Sequence, residues 1–300
     1  ETVLKKYNLK KLIIFSRDEF KQGEMSKILS EEKYPALRYF LGDIRDKDRL
    51  YRAFDGVDYV IHAAAFKQVP ALEYNPTEAV KTNIIGADNI VDAAVDSGVK
   101  KVIVLSTDKA VNPINLYGAT KLAAEKIFIA ANAYTGGRVR FSVVRYGNVV
   151  GSRGSVIPFY LSLKKQGIKE FPITDERMTR FWITLGQAIE LVLMALDEGT
   201  GGEIFVPKIP STKIIDLARS IDPDCIFKQI GIRPGEKINE TLISEDEARK
   251  TKIFNKAYVI LPQFFESEAL HKKYDKCQDV PEGFSYRSDN NEQWLTSKDL

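Results

Sequence analysis

The chain has 300 residues, 44% hydrophobic and 28% charged, which is long enough for one large α/β domain with a smaller lobe. Its 44 Lys and Arg against 41 Asp and Glu give a net charge of +3 without a basic block, so nucleic acid is not expected as a partner. The two cysteines, Cys225 and Cys277, lack metal-ligand or Cys-x-x-Cys spacing, so we expect no metal site. No apolar run approaches the ~20 residues of a membrane span, and we expect no membrane partner and a cytoplasmic location.

Short apolar runs alternate with helical patterns through the first half of the chain. The alternation predicts a parallel, doubly wound α/β sheet of the Rossmann-like kind, so residues 1–154 are interpreted as a dinucleotide-binding domain. Residues 1–8 are typical of the last turns of a helix. Buried strands are predicted at 11–15, 38–41, 57–61, 101–105 and 139–145, and helices at 19–29, 47–54, 76–98 and from Tyr117 onward.

Beyond residue 154 the alternation loosens. Residues 155–300 are interpreted as mostly a smaller, mixed substrate-binding lobe beside the sheet, with a soft boundary. The chain ends at 296–300 in a pattern typical of an N-cap with an acidic first turn. In order, we predict a helix to residue 165, a polar segment at 173–182, an apolar helix at 185–196 and short strands at 204–206 and 226–230.

A phosphate-binding glycine turn is missing from the predicted dinucleotide domain. Such folds begin with a strand, a Gly-x-Gly-x-x-Gly turn and a helix, and the ribose-reading residue follows about twenty positions later. Ser16 and Arg17 fit that later position, but no such turn precedes them. Because the first strand of this topology lies in the middle of the sheet, we expect roughly 20 to 30 further residues before Glu1.

The stretch 106–121 joins an apolar strand to a helix and contains several titratable side chains. Tyr117 and Lys121 are one turn apart on one helix face, so the ammonium is expected to lower the pKa of the phenol toward working pH. Thr107 either hydrogen-bonds the same substrate hydroxyl or caps the turn. Asp108 and Lys109 form a second acid/base pair if burial keeps the carboxyl protonated and neighbouring cations deprotonate the lysine; an exposed salt bridge is the alternative.

Ordered motifs along almost the whole chain resemble one family. The stretch 106–121 is similar to the extended short-chain dehydrogenase/reductase superfamily, and specifically to inverting UDP-N-acetylglucosamine 4,6-dehydratases of the pseudaminic acid pathway, which is linked to flagellin glycosylation. Together, in this order, the motifs are highly specific. The further matches are at 16–19, 42–46, 62–65, 74–76, 145–155, 178–182, 207–210, 231–237 and 288–291.

The resemblance implies a catalytic set of five residues. Thr107, Tyr117 and Lys121 resemble the dehydrogenase triad, in which the tyrosine takes the proton of the sugar 4-hydroxyl while hydride leaves for NADP⁺. Lys109 resembles the base that removes the proton from carbon 5, and Asp108 the acid that protonates the departing 6-hydroxyl. Tyr117 would then reprotonate carbon 5 from the opposite face and invert it.

The resemblance also implies NADP as the cofactor. Arg17 suits a 2′-phosphate, whereas Asp18 beside it leaves NAD open. His62 is interpreted as a structural histidine and not as a base. The cofactor contacts implied, besides Tyr117 and Lys121, are Ser16, Arg17, Asp18, Asp43, Ile44, Ala63, Ala64 and Ala65.

The implied substrate is UDP-N-acetylglucosamine. For Arg180 the alternative to a diphosphate contact is an ion pair with Asp175 or Glu176, and for Arg233 it is an ion pair with Glu236. The segment containing Asn291 is expected to close over the uridine, with a solvated tail as the alternative. The substrate contacts implied are Lys67, Asn148, Arg180, Arg233 and Asn291.

Three other functions stay open at the level of sequence. A retaining 4,6-dehydratase and a nucleotide-sugar 4-epimerase share the hydride chemistry, and a cofactor-sensing regulator without activity would share the fold. Asp108 and Lys109 argue against the epimerase, which requires no elimination. A regulator would have no reason to retain these two residues together with Tyr117 and Lys121. The family tends to form rings, so we expect a homo-oligomer.

Overall fold

The computed structural model describes residues 1–297 and 299, so Lys298 and Leu300, which fall within the predicted N-cap at 296–300, lie outside the described residues. In the described part of that segment, the amide and the hydroxyl of Thr296 both donate to Asp299 Oδ2, at 2.8 and 2.7 Å. No described helix combines the length and the apolar character that a bilayer crossing requires.

Helices and strands alternate in the order that the sequence predicts. A π-helical segment, Lys81–Ile85, and a 3₁₀ turn, Asp108–Ala110, accompany the α-helices. The helices are α1 (Thr2–Lys6), α2 (Glu19–Ile28), α3 (Lys47–Phe54), α4 (Val69–Tyr74), α5 (Pro76–Val80), α6 (Gly86–Asp96), α7 (Leu116–Thr135), α8 (Val156–Lys165), α9 (Leu185–Glu198), α10 (Ile214–Ile221), α11 (Glu245–Ala248) and α12 (Glu268–Tyr274). The strands are β1 (Leu12–Ser16), β2 (Leu37–Leu41), β3 (Tyr59–His62), β4 (Lys101–Thr107), β5 (Arg140–Tyr146), β6 (Asn148–Val149), β7 (Glu170–Ile173), β8 (Thr179–Ile183), β9 (Ile204–Pro207), β10 (Ser211–Lys213), β11 (Ile226–Gln229), β12 (Thr241–Ile243), β13 (Thr251–Phe254), β14 (Ala257–Ile260) and β15 (Tyr286–Arg287).

The main sheet has the strand order β13-β14-β9-β5-β4-β3 in the described residues. Strands β3, β4, β5 and β9 run parallel, and β14 and β13 add antiparallel at one edge. Val102 and Val104 of β4 pack into the cluster that includes α6 and α7, while Ile103 packs into the cluster that includes α9. Helices therefore cover both faces, which confirms the predicted doubly wound fold and explains the continuous apolar run of β4.

Two strands of the first half stand apart from the main sheet. Among the described residues, β1 and β2 pair with each other, and β3 pairs with β4 alone. Tyr59 and Ile61 of β3 are 53% and 43% exposed. The expectation of a further strand before Glu1 stays a prediction.

The second half contributes to both parts of the molecule. Strands β9, β13 and β14 extend the main sheet, so residue 154 does not divide the sheet from the lobe. The remaining strands form small sheets, β10-β8-β6, β11-β7 and β12-β15. The polar segment predicted at 173–182 is wrong in part, because Thr179–Ile183 forms the wholly buried strand β8. Its polar side chains are tolerated there because they have hydrogen-bond partners inside the protein. The Thr179 hydroxyl, for example, donates to Asn239 Oδ1 at 2.9 Å.

The long helix predicted at 76–98 is interrupted at its π-helical segment. Asn83, buried in that segment, accepts from the amide of Phe66 at 2.9 Å and donates to the carbonyl of the same residue at 3.0 Å. Its amide also donates to Thr120 Oγ1 of α7 at 3.0 Å. The π-helical segment therefore joins the loop after β3 to α7, the helix that carries Tyr117 and Lys121.

A fully buried arginine connects the two halves of the chain. Arg145 of β5 donates to both carboxylate oxygens of Glu125 on α7, at 3.2 and 2.6 Å, and to both of Glu247 on α11, at 3.0 and 2.9 Å. It also donates to the Leu242 carbonyl of β12 at 2.9 Å. One guanidinium therefore satisfies the buried carboxylate of Glu125 and the half-buried carboxylate of Glu247, from distant segments.

We expect Arg145→Met to destabilise the protein by about 3–5 kcal/mol, because it leaves the buried Glu125 and the half-buried Glu247 carboxylates without a cation. Arg249→Met is the matched control, since Arg249 pairs with Asp246 at 3.3 Å with both side chains at least 80% exposed. The control should change stability by less than about 0.5 kcal/mol. Urea unfolding measures both; equal losses would contradict a special role for Arg145.

Candidate active site

The central stretch is folded back on itself by a glycine. Thr107 ends β4, the 3₁₀ turn follows, and Asn115 caps α7 by accepting from the amide of Gly118 at 2.8 Å. A Cβ on Gly118 would overlap the carbonyl oxygen of Lys109. Only a glycine therefore lets the first turn of α7 lie against the turn that carries Asp108 and Lys109, which brings Tyr117 beside them.

Asp108 and Lys109 form a direct pair that is largely removed from water. Lys109 Nζ donates to Asp108 Oδ1 at 2.9 Å, and the Thr107 hydroxyl donates to the same oxygen at 2.9 Å. The Asp108 side chain is 1% exposed and that of Lys109 26%. Asp108 Oδ2 has no hydrogen-bond partner within the described residues. The alternative of an exposed salt bridge is therefore wrong, and the carboxyl group retains an uncommitted oxygen.

The electrostatics of this pair agree with one sequence prediction and correct another. Burial raises the pKa of the Asp108 carboxyl above its ordinary value, as predicted for a shielded acid. Burial alone would lower the pKa of Lys109, but the charges of Asp108 and Glu240 outweigh it and raise that pKa. The expectation that neighbouring cations deprotonate Lys109 is wrong, because two carboxylates flank its ammonium.

Tyr117 and Lys121 lie on the first turns of α7 but interact differently than predicted. Burial raises the pKa of the Tyr117 phenol, so the predicted lowering is not found. Lys121 is 4% exposed, and its Nζ donates to the Leu105 carbonyl at 2.8 Å. Burial lowers the pKa of Lys121 to about 8. Its ammonium is therefore less firmly protonated than the spacing suggests.

His62 has the environment of a structural residue. It lies at the end of β3, is 6% exposed and packs against Phe128 with ring centroids 5.7 Å apart. Burial lowers its pKa to about 3, so the ring is neutral at working pH. This agrees with the structural interpretation from the sequence.

The predicted cofactor residues gather at the carboxyl ends of β1, β2 and β3. Arg17 is 44% exposed in its side chain, lies over the ring of Phe66 at 4.8 Å and donates to Asp43 Oδ2 at 3.4 Å. Asp18 instead caps α2, accepting from the amide of Lys21 at 2.9 Å. The cap commits a carboxylate oxygen of Asp18 to the helix, whereas the guanidinium of Arg17 is partly exposed and has the charge that a phosphate requires.

The other predicted cofactor residues differ in their exposure and in their contacts. Ser16 Oγ accepts from the side chain of Gln22 at 3.1 Å. Ile44 is 7% exposed and its side chain packs in the core, so it is a packing residue in this structure. Ala63 and Ala64 are exposed and Ala65 half-buried, in the loop that Asn83 fixes.

Three predicted substrate residues lie at accessible positions. Lys67 is exposed, and its Nζ donates to the Arg153 carbonyl at 3.4 Å, which relates the loops after β3 and β6. Asn148 begins β6 and is half-buried. Arg233 has a 64% exposed side chain and forms the alternative ion pair with Glu236, at 3.5 Å.

Two predicted substrate residues are instead used inside the protein. Arg180 is 7% exposed, and its Nη atoms donate to the carbonyls of Thr179, Lys237 and Ile238 at 2.7–2.9 Å. Its expected alternative is also wrong, because Asp175 pairs with Arg177 at 2.8 Å. This geometry contradicts an open diphosphate donor at Arg180.

Asn291 is 9% exposed, and its amide donates to the Ile209 carbonyl and to Ser211 Oγ at 2.8 and 2.9 Å. It therefore fixes the C-terminal segment against β10 instead of closing over a ligand. Both the uridine contact and the solvated tail are corrected here, because the side chain is committed to internal hydrogen bonds.

Sequence reasoning missed two residues of the site. Asn83 gives no signal beyond an ordinary helical pattern. Glu240 is 2% exposed and its Oε1 lies 3.4 Å from Lys109 Nζ, yet the two residues are distant in sequence. Its position two residues before the apolar pair Leu242 and Ile243 is the sequence hint that it is buried.

The sheet, the Tyr-x-x-x-Lys pair on α7 and the threonine ending β4 define a class, the extended short-chain dehydrogenases/reductases. The family model described as polysaccharide biosynthesis protein matches residues 1–262, and the chain belongs to that family. The predicted resemblance is confirmed by a Campylobacter jejuni relative named UDP-N-acetylglucosamine 4,6-dehydratase (inverting). It is 54% identical over 306 residues, covering 100% of this chain and 91% of that protein.

Other relatives include a different activity. A Rickettsia akari protein named UDP-glucose 4-epimerase is 46% identical over 248 residues, 81% of this chain and 72% of that protein. The solved structure of Pen from Bacillus thuringiensis has a TM-score of 0.89 at 36% identity, covering 99% of this chain and 89% of that one. DesIV, a dTDP-glucose 4,6-dehydratase from Streptomyces venezuelae with NAD and TYD bound, shares the fold with a TM-score of 0.71 at 20% identity, covering 89% and 87%.

We expect Gly118→Ala to disturb the site, because the new Cβ would push α7 away from the Lys109 carbonyl. Stability should fall by about 1–3 kcal/mol. Gly186→Ala is the matched control in the first turn of α9, where the nearest atom to a new Cβ is Thr184 Oγ1 at 3.9 Å. The control should be neutral or more stable by up to ~1 kcal/mol. Thermal unfolding distinguishes them, and a stable Gly118→Ala protein would refute the close approach.

Proposed function

We propose that this protein is a lyase that removes water across carbons 5 and 6 of UDP-N-acetylglucosamine through a 4-keto intermediate, inverting carbon 5. The observation that carries the proposal is the buried Asp108–Lys109 pair beside Tyr117 and Lys121. Oxidation at carbon 4 requires a group that accepts the hydroxyl proton, and elimination requires an acid and a base. The central stretch supplies all three.

The residues divide the work by their chemistry. Tyr117, as the phenolate, takes the proton of the 4-hydroxyl, with Thr107 holding that hydroxyl; burial raises the pKa of this phenol, so the phenolate is the less populated form. The resulting ketone acidifies the proton on carbon 5, which Lys109 removes. Asp108, whose pKa burial raises, protonates the departing 6-hydroxyl so that it leaves as water. Tyr117 then returns a proton to carbon 5 from the opposite face, which inverts the centre.

NADP is the proposed cofactor; when bound, it accepts hydride from carbon 4 and returns it to carbon 6, so it is not consumed. The exposed guanidinium of Arg17, stacked on Phe66, fits a 2′-phosphate. Ser16, Asp43 and the main chain at 63–65 would line the adenosine side of the site. NAD is the alternative that the solved relatives with NAD bound keep open.

For the substrate we propose contacts from Lys67, Asn148 and Arg233. The two cationic side chains are exposed, so they can reach a diphosphate without breaking a core contact. We further propose that the protein acts in pseudaminic acid biosynthesis for flagellin glycosylation, in the cytoplasm, as a homo-oligomer. These last points rest on the family resemblance.

A 4-epimerase is the second candidate, favoured by the relatives named UDP-glucose 4-epimerase. Epimerisation needs oxidation and reduction at carbon 4 but neither a base at carbon 5 nor an acid at carbon 6. Asp108 and Lys109 would then have no chemical task, although the protein buries Asp108 and leaves the Lys109 side chain only 26% exposed, at a cost in desolvation. The product mass separates the two functions.

With UDP-N-acetylglucosamine and catalytic NADP⁺ in deuterated water, we expect a product that has lost one water and carries deuterium at carbon 5. Lys109→Ala should reduce its formation by about 100-fold or more, because the base is removed. Lys126→Ala, which changes an exposed lysine of α7, should leave the rate unchanged. Mass spectrometry follows the product and proton coupling constants give its configuration; a product of unchanged mass would favour epimerisation.

We expect Arg17→Ala to raise the KM for NADP by about tenfold or more, since a charge-assisted contact is lost, and to change the KM for NAD little. Arg52→Ala, at an exposed position of α3, should affect neither. Steady-state kinetics with each cofactor measure the ratio. Equal effects on both cofactors would place the 2′-phosphate elsewhere.

A further inference from the structure

Glu240 is a buried carboxylate to which the proposed mechanism assigns no task. Its side chain is 3% exposed, and its Oε1 lies 3.4 Å from Lys109 Nζ and 3.8 Å from Arg180 Nε. Its Oε2 has no hydrogen-bond partner in the described part of the chain. Burying a carboxylate is costly unless cations compensate it, so its position against the proposed base requires an explanation.

The main chain holds Glu240 firmly in place. The amide of Glu240 donates to Ser288 Oγ, and the amide of Ser288 donates to the Glu240 carbonyl, both at 2.9 Å. Ser288 is fully buried, and its hydroxyl lies 2.6 Å from Thr179 Oγ1 of β8. The lobe thus presents this carboxylate to the turn after β4 from a fixed position.

We propose that Glu240 is a positioning residue of the elimination step, whose carboxylate holds the Lys109 ammonium beside Asp108 and whose fixed negative charge retains a proton on the Asp108–Lys109 pair. The inference rests on the proposed function. It adds a residue from the second half of the chain to a site otherwise built from 107–121.

The two carboxyl groups beside Lys109, those of Asp108 and Glu240, have pKa values that are shifted in opposite directions. Burial would raise the pKa of Glu240, but the charges of Lys109 and Arg180 outweigh it and lower that pKa. Burial raises the pKa of Asp108, and the charge of Glu240 adds to that rise. Such a separation marks one group as the ionised partner and the other as the acid. The titratable groups that face Glu240 or the pair are Asp108, Lys109, Tyr117, Arg180, Glu236 and Lys237.

The proton count of the elimination explains why a retained proton matters. Lys109 takes the proton of carbon 5, and Asp108 gives its proton to the 6-hydroxyl as the carbon–oxygen bond breaks and water leaves. This leaves an ammonium and a carboxylate 2.9 Å apart, the contact observed between Nζ and Oδ1. Transfer of one proton across that contact restores the reactive form. The pair therefore works with one shared proton, and it is inactive with two or with none.

The test is the pH profile of kcat for dehydration in Glu240→Gln. Removing the negative charge of Glu240 lowers both pKa values of the Asp108–Lys109 pair, that for its first proton and that for its second. Both the acidic and the basic limb of the profile should therefore move to lower pH by about one unit or more. Glu240→Asp keeps the charge and should keep the limbs near those of the wild type. Glu245→Gln removes the same charge from an exposed position nearby and should leave the profile unchanged.

If Glu240→Gln lowers activity at every pH without moving the limbs, Glu240 is only structural and the proposal is overturned.

A second readout needs no turnover: reductive methylation of Lys109 by formaldehyde and a borane reductant, followed by peptide mass spectrometry. A pKa lower by one unit increases the fraction of neutral, reactive Lys109 amine about tenfold. Lys109 in Glu240→Gln should therefore react about tenfold faster at neutral pH. An unchanged rate overturns the proposal.

The two readouts also separate this inference from the proposed function. A wild-type protein that forms no dehydrated product would refute the function. A faster methylation of Lys109 in Glu240→Gln would still support the electrostatic role of Glu240 in that case, whereas normal dehydration with unmoved limbs would refute the role alone.

Discussion

The guanidinium of Arg145 is the contact on which the arrangement of the site depends. It lies at the carboxyl end of β5 and binds Glu125 on the helix of Tyr117 and Lys121, Glu247 on α11, and the main chain of β12. Because a buried cation needs partners, Arg145 holds together the sheet, helix α7 and the second half of the chain. Glu240 directly precedes β12, so its approach to Lys109 follows from that constraint.

The site is therefore made from one short stretch and one distant carboxylate. Gly118 lets α7 lie against the backbone of Lys109, which is a local steric requirement. Glu240 arrives from the other half of the protein and adds a second carboxylate beside Lys109, whose pKa it helps to raise. Asp108, shielded from water, becomes the carboxyl group of the site best able to hold a proton.

Several predictions from the sequence failed for one common reason. Arg180 and Asn291 have the side chains of ligand-binding residues, but backbone carbonyls of other segments occupy their donors. The nature of a side chain limits what it can bind, whereas its actual partner depends on which segments of the chain lie next to it.

The alternation of apolar runs and helical patterns determined the doubly wound sheet, because burial on both faces demands continuous β-forming residues such as those of β4. The spacing from Thr107 to Lys121 likewise determined the main candidate stretch, since its residues are neighbours along one strand end and one helix face. Only the tertiary structure decided the join of β9, β13 and β14 to the main sheet, the burial of Arg180 and the pairing of Lys109 with Glu240. Those contacts join residues far apart in the chain, and their energies come from charge and burial that exist only after the segments have packed together.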